Sequence, residues 1–294
     1  MLSKKAIDNN KKVSNNLGRI AGNTVARITP DLATLSSLEA GGVVRTVATT
    51  VISEVGQAAT VAGVQGYKDL SDAALFELQQ SFAKTNPLYV SIGEERTARF
   101  LEQARGLTNR SVDELNALLA ADPKNAAAAT ARMWIKNGYD GYSPVTIDVK
   151  KVLTKNIESV VGYSMSKYTN GDFANAAEAL ESGVSRMVEN IYRDTIATNS
   201  EFDNFAQGYQ RVASPLACAF CMTVALNEYT TFEESGGYHD HCSCSTVPIY
   251  GGMKAYRPDY YEAFENDYQA GNIASQSSDP QEILASIRQI TGRK

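Results

Sequence analysis

The chain has 294 residues, 43% hydrophobic and 21% charged, enough apolar material for one large folded domain or two modest ones. Its formal net charge of -5 means that the chain as a whole is not a generic nucleic-acid binder, and no uninterrupted apolar run is long enough to span a bilayer. The opening residues MLSKKAIDNNKK lack the apolar core of a secretion signal, so folding in a cytoplasm with reduced thiols is the expectation.

Residues 1–29 read as a basic N-terminal arm. Lys4, Lys5, Lys11, Lys12, Arg19 and Arg27 face only Asp8, while Ile7, Leu17, Ile20, Val25 and Ile28 are sparse. The stretch reads either as a solvated surface helix or as an arm that orders against a partner. Thr29-Pro30 breaks the chain. Residues 30–212 then read as a helical body. Across 32–66, Val43, Val47, Val51, Val55 and Ala58 fall near helical spacing, in a Val/Ala/Thr/Gly-rich stretch of poor intrinsic propensity that needs neighbours to hold it. A buried bundle helix is the expectation there, with a membrane-active role as the competing one. Ser71 then reads as the cap of a separate helix through Leu75, Leu78 and Phe82.

Short helices are expected over 94–106, from the Ser111/Glu114 capping box through Leu119, and after Asp122-Pro123, followed by the lone Trp134 and a loop over 138–144. Helices follow over 146–168 and 173–197. The second carries Phe173, Ala177, Leu180, Val184, Met187 and Ile191 in a narrow apolar stripe. Ser200 reads as the start of one more helix, through Phe202, Phe205, Ala206 and Tyr209 and ending near Arg211. Past Pro215 the composition shifts to glycine, aromatics and cysteine, with short strands expected at 229–232 and 245–250. Residues 253–294 read as a helical tail. It holds an aromatic helix with Tyr256, Tyr260, Tyr261, Phe264 and Tyr268, whose rings suit an interface or the protein's own core, and a last helix opened by Asp279-Pro280. The fold class expected is mainly α, with a multi-helix body, a small α+β subdomain over 213–252, and C-terminal helices.

All four cysteines and both histidines lie in Cys218–Cys244, as C-x2-C, a gap, then H-x-H-C-x-C. Zinc takes four nitrogen or sulfur ligands in a tetrahedron, and two cysteines separated by two residues reach one ion from a tight turn. Cys218 and Cys221 make that half-site; His239, Cys242 and Cys244 supply the other, with His241 as a spare imidazole. Either three thiolates plus His239, or four thiolates with His239 behind them, satisfies the count. A structural Zn2+ is expected, against disulfides or unliganded thiols. Catalytic patterns are incomplete: no H-E-x-x-H, no G-x-S-x-G, and C-x2-C precedes the histidines, the reverse of the deaminase order. Glu228, Glu233, Glu234 and Asp240 are the acids nearest in sequence. The expectation is a protein that is not an enzyme, the alternative being a zinc-dependent nuclease-like or capsid-maturation enzyme.

The segment from Gly208 to Tyr250 resembles the Mu F-like minor head proteins of tailed bacteriophages, in the form found in phages of actinobacteria. The resemblance rests on Cys218 and Cys221, then His239, Cys242 and Cys244, then Val247-Pro248. Arg193 and Tyr209-Gln210-Arg211-Val212 also fit, and the match covers about residues 190 to 250. His241 departs from the small or polar residue common in relatives. The resemblance implies a virion protein of the phage head, a minor capsid protein associated with the portal vertex and assembled in the host cytoplasm. Portal and major capsid subunits are its implied partners, and no small-molecule substrate and no stable membrane span are expected. A weak contact of the basic arm with packaged DNA, as in a DNA-contacting internal head protein, is a further alternative.

Overall fold

The structure is a computed structural model that describes residues 2–85, 130–137, 141–202, 206–226, 244–250 and 253–293. Its first helix, α1 (Lys4–Ile28), starts where the Ser3 hydroxyl accepts from the Ala6 amide. It ends where Thr29 bonds Val25 O through both its amide and its hydroxyl, ahead of Pro30. Ile7, Asn10, Ser14, Leu17, Ala21 and Val25 recur three and four apart and are all buried. The stretch read as an arm is thus packed along the bundle, and only its outer face is solvated.

Ser36 and Glu39 exchange hydrogen bonds in a reciprocal capping box that opens α2 (Ser37–Thr85). The Ser36 hydroxyl, at 2.6 Å, and the Ser36 amide, at 2.9 Å, both donate to Glu39 Oε2 and hold that carboxyl below its usual range. Helix α2 is continuous, so Ser71 caps nothing. The pairs Gln65–Asp69 and Lys68–Asp72, each four residues apart, carry the helix through the expected break. Within α2, Ser37–Ala74 is long and apolar enough to cross a membrane by length and composition, a test that the core helix of a bundle also passes. However, 56% of its most apolar window is buried inside the protein. Val47 and Val51 are buried as expected; Val44, Ile52 and Ala59 complete the face, and Ala58 is exposed.

The expected helices over 94–106, 111–119 and from 123 lie in 86–129, outside the described residues. Thr130–Asn137 and Gly141–Asp148 are strands, β1 and β2, paired antiparallel with Trp134 opposite Pro144. The sequence pattern instead suggests an alanine-rich run ending at Ala131 ahead of Trp134, a loop over 138–144 and a helix from Thr146. Strand pairing supplies hydrogen bonds that a single-segment reading cannot see, and a two-stranded edge tolerates Pro144.

Helix α3 (Val149–Thr169) turns at Gly171, with a φ of 76° that suits glycine, into α4 (Phe173–Phe202). Helix α4 is the axis of the molecule and packs against α1, α2, α3 and the later strands. Leu180, Val184, Met187 and Ile191 are buried as the stripe predicts, but so are Ala176, Val188, Tyr192, Thr195 and Ile196. The burial is far wider than the narrow stripe, because neighbours cover other faces too. Asn199 and Ser200 donate back to Thr195 O and Ile196 O inside α4, so Ser200 starts no new helix. The chain instead enters β3 (Ala206–Val212), where a helix was expected.

Glycine sets how closely α4 is approached. A Cβ on Gly63 of α2 would stand 2.7 Å from Thr195 Cβ and 3.0 Å from the Tyr192 carbonyl. On α1, one at Gly22 would stand 2.7 Å from Ser185 Oγ. Between them the Asn10 amide donates to the Tyr192 hydroxyl at 3.0 Å, joining α1 to the same turn of α4. Burial raises the Tyr192 hydroxyl far above its ordinary value, with Asp69 adding to the effect.

Charge is also buried here. Arg193, 1% exposed, pairs with Glu189 Oε2 at 2.7 Å and donates to Asn190 Oδ1. Burial pushes the neighbouring Asp194 carboxyl up from 3.8 to about 6, while Arg193 and Arg211 pull the other way.

Two predictions follow the packing. Gly63→Val destabilises by about 1–3 kcal/mol in urea unfolding, because the carbonyl of Tyr192 cannot yield. Gly162→Ala, where nothing lies within 4 Å, is neutral or stabilising by up to about 1 kcal/mol; equal losses at both positions would refute the close approach. The third concerns pH. Between the unfolded and folded values of Asp194 the folded chain binds the extra proton, so its contribution is intact at about pH 4 and lost as pH rises through about 6. The loss is on the order of 2–3 kcal/mol. Asp194→Asn removes this part of the pH dependence of unfolding, measured against the parent chain from about pH 4 to about 7.

Candidate metal centre

Strand β3 pairs antiparallel with β4 (Ser245–Tyr250), Val212 opposite Ser245 and Tyr209 opposite Pro248. All six residues of β4 are buried, and both strands pack on α4. The pairing places Ala213, just after β3, at the same end of the sheet as Cys244, just before β4. From Ala213 the chain turns through Pro215-Leu216, closed by Ala217 N to Ser214 O at 2.9 Å, and reaches Cys218.

Cys218 caps the short helix α5 (Ala219–Ala225), its Sγ accepting from the Cys221 amide at 3.3 Å. The C-x2-C stretch is therefore the tight turn its spacing predicts. Cys221 and Cys244 are buried in a core with Ala213, Met222, Tyr261, Phe264, Ile283, Leu284 and Ile287, and half-buried Cys218 packs against it. Three of the five candidate ligands thus share one core. Among the described residues, no three histidine, cysteine, aspartate or glutamate side chains group as a metal site, so the three sulfurs do not by themselves form a ligand triad. His239, His241 and Cys242 lie in 227–243, outside the described residues, as do the nearby acids and the strand expected at 229–232.

The C-terminal helices are part of this core. Helix α6 (Tyr261–Ser275) and α7 (Pro280–Thr291) form a hairpin in which Asp279 caps α7 by accepting from the Gln281 amide. The Tyr260 hydroxyl donates to Ala213 O at 2.7 Å, and the Ala213 amide donates to the Tyr261 hydroxyl at 3.1 Å. The tyrosines of this stretch therefore serve the protein's own core. Burial pushes the Tyr260 hydroxyl up to about 12 and raises Tyr261 further. Both stay protonated at neutral pH and act as hydrogen-bonding anchors.

Two anchoring side chains escaped the sequence reading. The Gln210 amide donates to Tyr256 O at 2.7 Å and accepts from Tyr256 N at 2.8 Å, so a side chain takes the place of a strand partner. Arg293 pairs with Asp267 at 2.9 Å, donates to Ala217 O at 3.0 Å and lies 5.0 Å from the centre of the Phe264 ring. It ties the end of the chain to the loop entering Cys218. No local spacing announces either contact, since the partners are 46 and 76 residues away. Arg211, one of the residues of the resemblance, is 1% exposed and lies 5.9 Å from the centre of the Phe220 ring.

The family model described as VG15 protein matches residues 107–271. That range runs through the hairpin of β1 and β2, α3, α4, the sheet with its cysteine turn, and most of α6. No curated protein and no solved structure matches the chain. The match speaks for a viral gene product and does not extend to the Mu F-like head proteins in particular. It covers more than half of the 294 residues, and the chain belongs to the VG15 protein family.

Proposed function

We propose that this chain is a structural protein of a phage head, a minor capsid protein of the Mu F-like kind, whose cysteine-rich segment closes on one structural zinc ion. The observation that carries the reading is the gathering of Cys218, Cys221 and Cys244 into one small core by the β3–β4 pairing. The Sγ-to-amide bond of the C-x2-C turn suits a half-site that offers two thiolates to one ion. Cys218, Cys221, Cys242 and Cys244, or three of them with His239, would hold the metal. A zinc ion there supplies closed tetrahedral coordination that locks loops a small core cannot hold alone.

The chain's own residues then explain a scaffolding role. Helices α1 to α4 form a stiff bundle, and Arg293, Tyr260 and Tyr261 fix the cysteine turn to the C-terminal hairpin. Portal and major capsid subunits are the proposed partners, in the virion head.

Elemental analysis of the purified chain is expected to find about one zinc per molecule, released when Cys218→Ser and Cys221→Ser are combined. Chelator should lower the melting of the cysteine core while most far-UV helicity, carried by α1 to α4, persists. Absence of zinc, or a disulfide joining any of the four cysteines under reducing-cytoplasm expression, overturns the metal reading. The head assignment falls if mass spectrometry of purified particles fails to find the chain.

A further inference from the structure

The outer face of α1 has no role in the bundle. Lys4, Lys5, Lys12, Arg19 and Arg27 are exposed on it, Lys11 sits at its edge, and Asp8 is the sole acid. Among the described residues none of these six basic side chains enters an ion pair. At 1.5 Å per residue, Lys4 to Arg27 span roughly 35 Å of a helix held straight by its buried side. Exposed Asn9, Asn15, Asn16 and Asn23 lie among the cations. The rest of the chain carries the opposite sign, since the total is -5. Such segregation of charge orients a polyanion onto one surface and repels it from the others.

The chemistry of the face narrows the partner. Lysine, arginine and asparagine are all phosphate ligands, and amide donors between cations suit a repeating backbone. Helix α1 carries no aromatic residue, so it offers no platform for stacking the bases of a single strand. A lipid surface would need an apolar face to insert, but Ile7, Leu17, Ala21 and Val25 are spent against the bundle. Val13, Ile20 and Ile28 are 40%, 48% and 39% exposed, three aliphatic side chains spread along α1 and too few to anchor a helix in a bilayer.

We propose that the outer face of α1 docks on the phosphate backbone of duplex nucleic acid without reading its sequence. This stands apart from the metal reading and uses no residue of the cysteine core. The modest number of cations makes the contact weak and salt-sensitive.

Fluorescence anisotropy of the full chain with a labelled mixed-sequence DNA duplex tests it. Engagement of four or five phosphates predicts a log–log salt slope of about -4, so affinity falls roughly 250-fold between about 50 and about 200 mM salt. The variant K4Q/K5Q/K12Q/R19Q/R27Q should lose binding at low salt while keeping the helicity and melting of the parent. The smaller set K12Q/R19Q/R27Q should weaken binding and flatten the slope by about 3. Arg288→Gln, exposed on the C-terminal helix α7, should leave it unchanged. No binding at low salt, equal binding by the neutralised variants, or capture by anionic vesicles with DNA ignored would each overturn the proposal.

Discussion

Everything in this molecule is built on the burial of α4. A helix packed from several sides cannot have a solvated stripe as wide as an ordinary surface helix, and its neighbours must come close for the interior to fill. Small residues make that approach feasible: Gly63 on α2 and Gly22 on α1 sit against Thr195, Tyr192 and Ser185. The cost is that polar groups on α4 are also taken out of water, and each must find a partner inside. Tyr192 finds Asn10, Arg193 finds Glu189, and Thr195, Asn199 and Ser200 bond back to the preceding turn of their own helix. Asp194 remains the least comfortable member, which is why its carboxyl holds a proton at higher pH than usual.

The second core depends on the first through a two-stranded sheet. Strands β3 and β4 lie on α4, and the residues leaving them carry the cysteine turn and Cys244 to one end. Side chains rather than secondary structure then fasten the C-terminal hairpin to that end. Gln210 mimics a strand partner for Tyr256, two tyrosine hydroxyls grip Ala213, and Arg293 reaches the carbonyl of Ala217. A lone two-stranded ribbon is marginal in water, so this cross-fastening matters as much as the pairing itself. The molecule thus carries a cysteine-bearing core at one end of the sheet and a basic helix face on the bundle.

Reading the chain without coordinates succeeds where one segment's pattern is sufficient and fails where two segments must meet. The stripe from Leu180 to Ile191 and the Asp279-Pro280 start of α7 are local signals, and both hold. The strands at 130–137, 141–148 and 206–212 were missed because short apolar runs do not distinguish helix from strand without a partner. The break expected at Ser71 fails for a different reason: a cap residue becomes an ordinary helical one when an ion pair four apart, Lys68 with Asp72, bridges across it. The C-x2-C turn was legible because two cysteines at that spacing impose one geometry on a short loop, and the Sγ-to-amide bond meets it.

The amino-acid order by itself determined the helical class, the Asp279 cap of the last helix, the concentration of cysteine and histidine in one window and the excess of basic charge on α1. These are properties of neighbours along the chain, and periodicity or spacing encodes them directly. Tertiary structure decided the rest: that the basic stretch is a bundle helix with one buried side, that an apolar helix long enough for a bilayer is mostly enclosed by protein, and that Arg193 and Arg211 lie inside. Burial is a relation between distant segments, and no local pattern specifies which of them will meet.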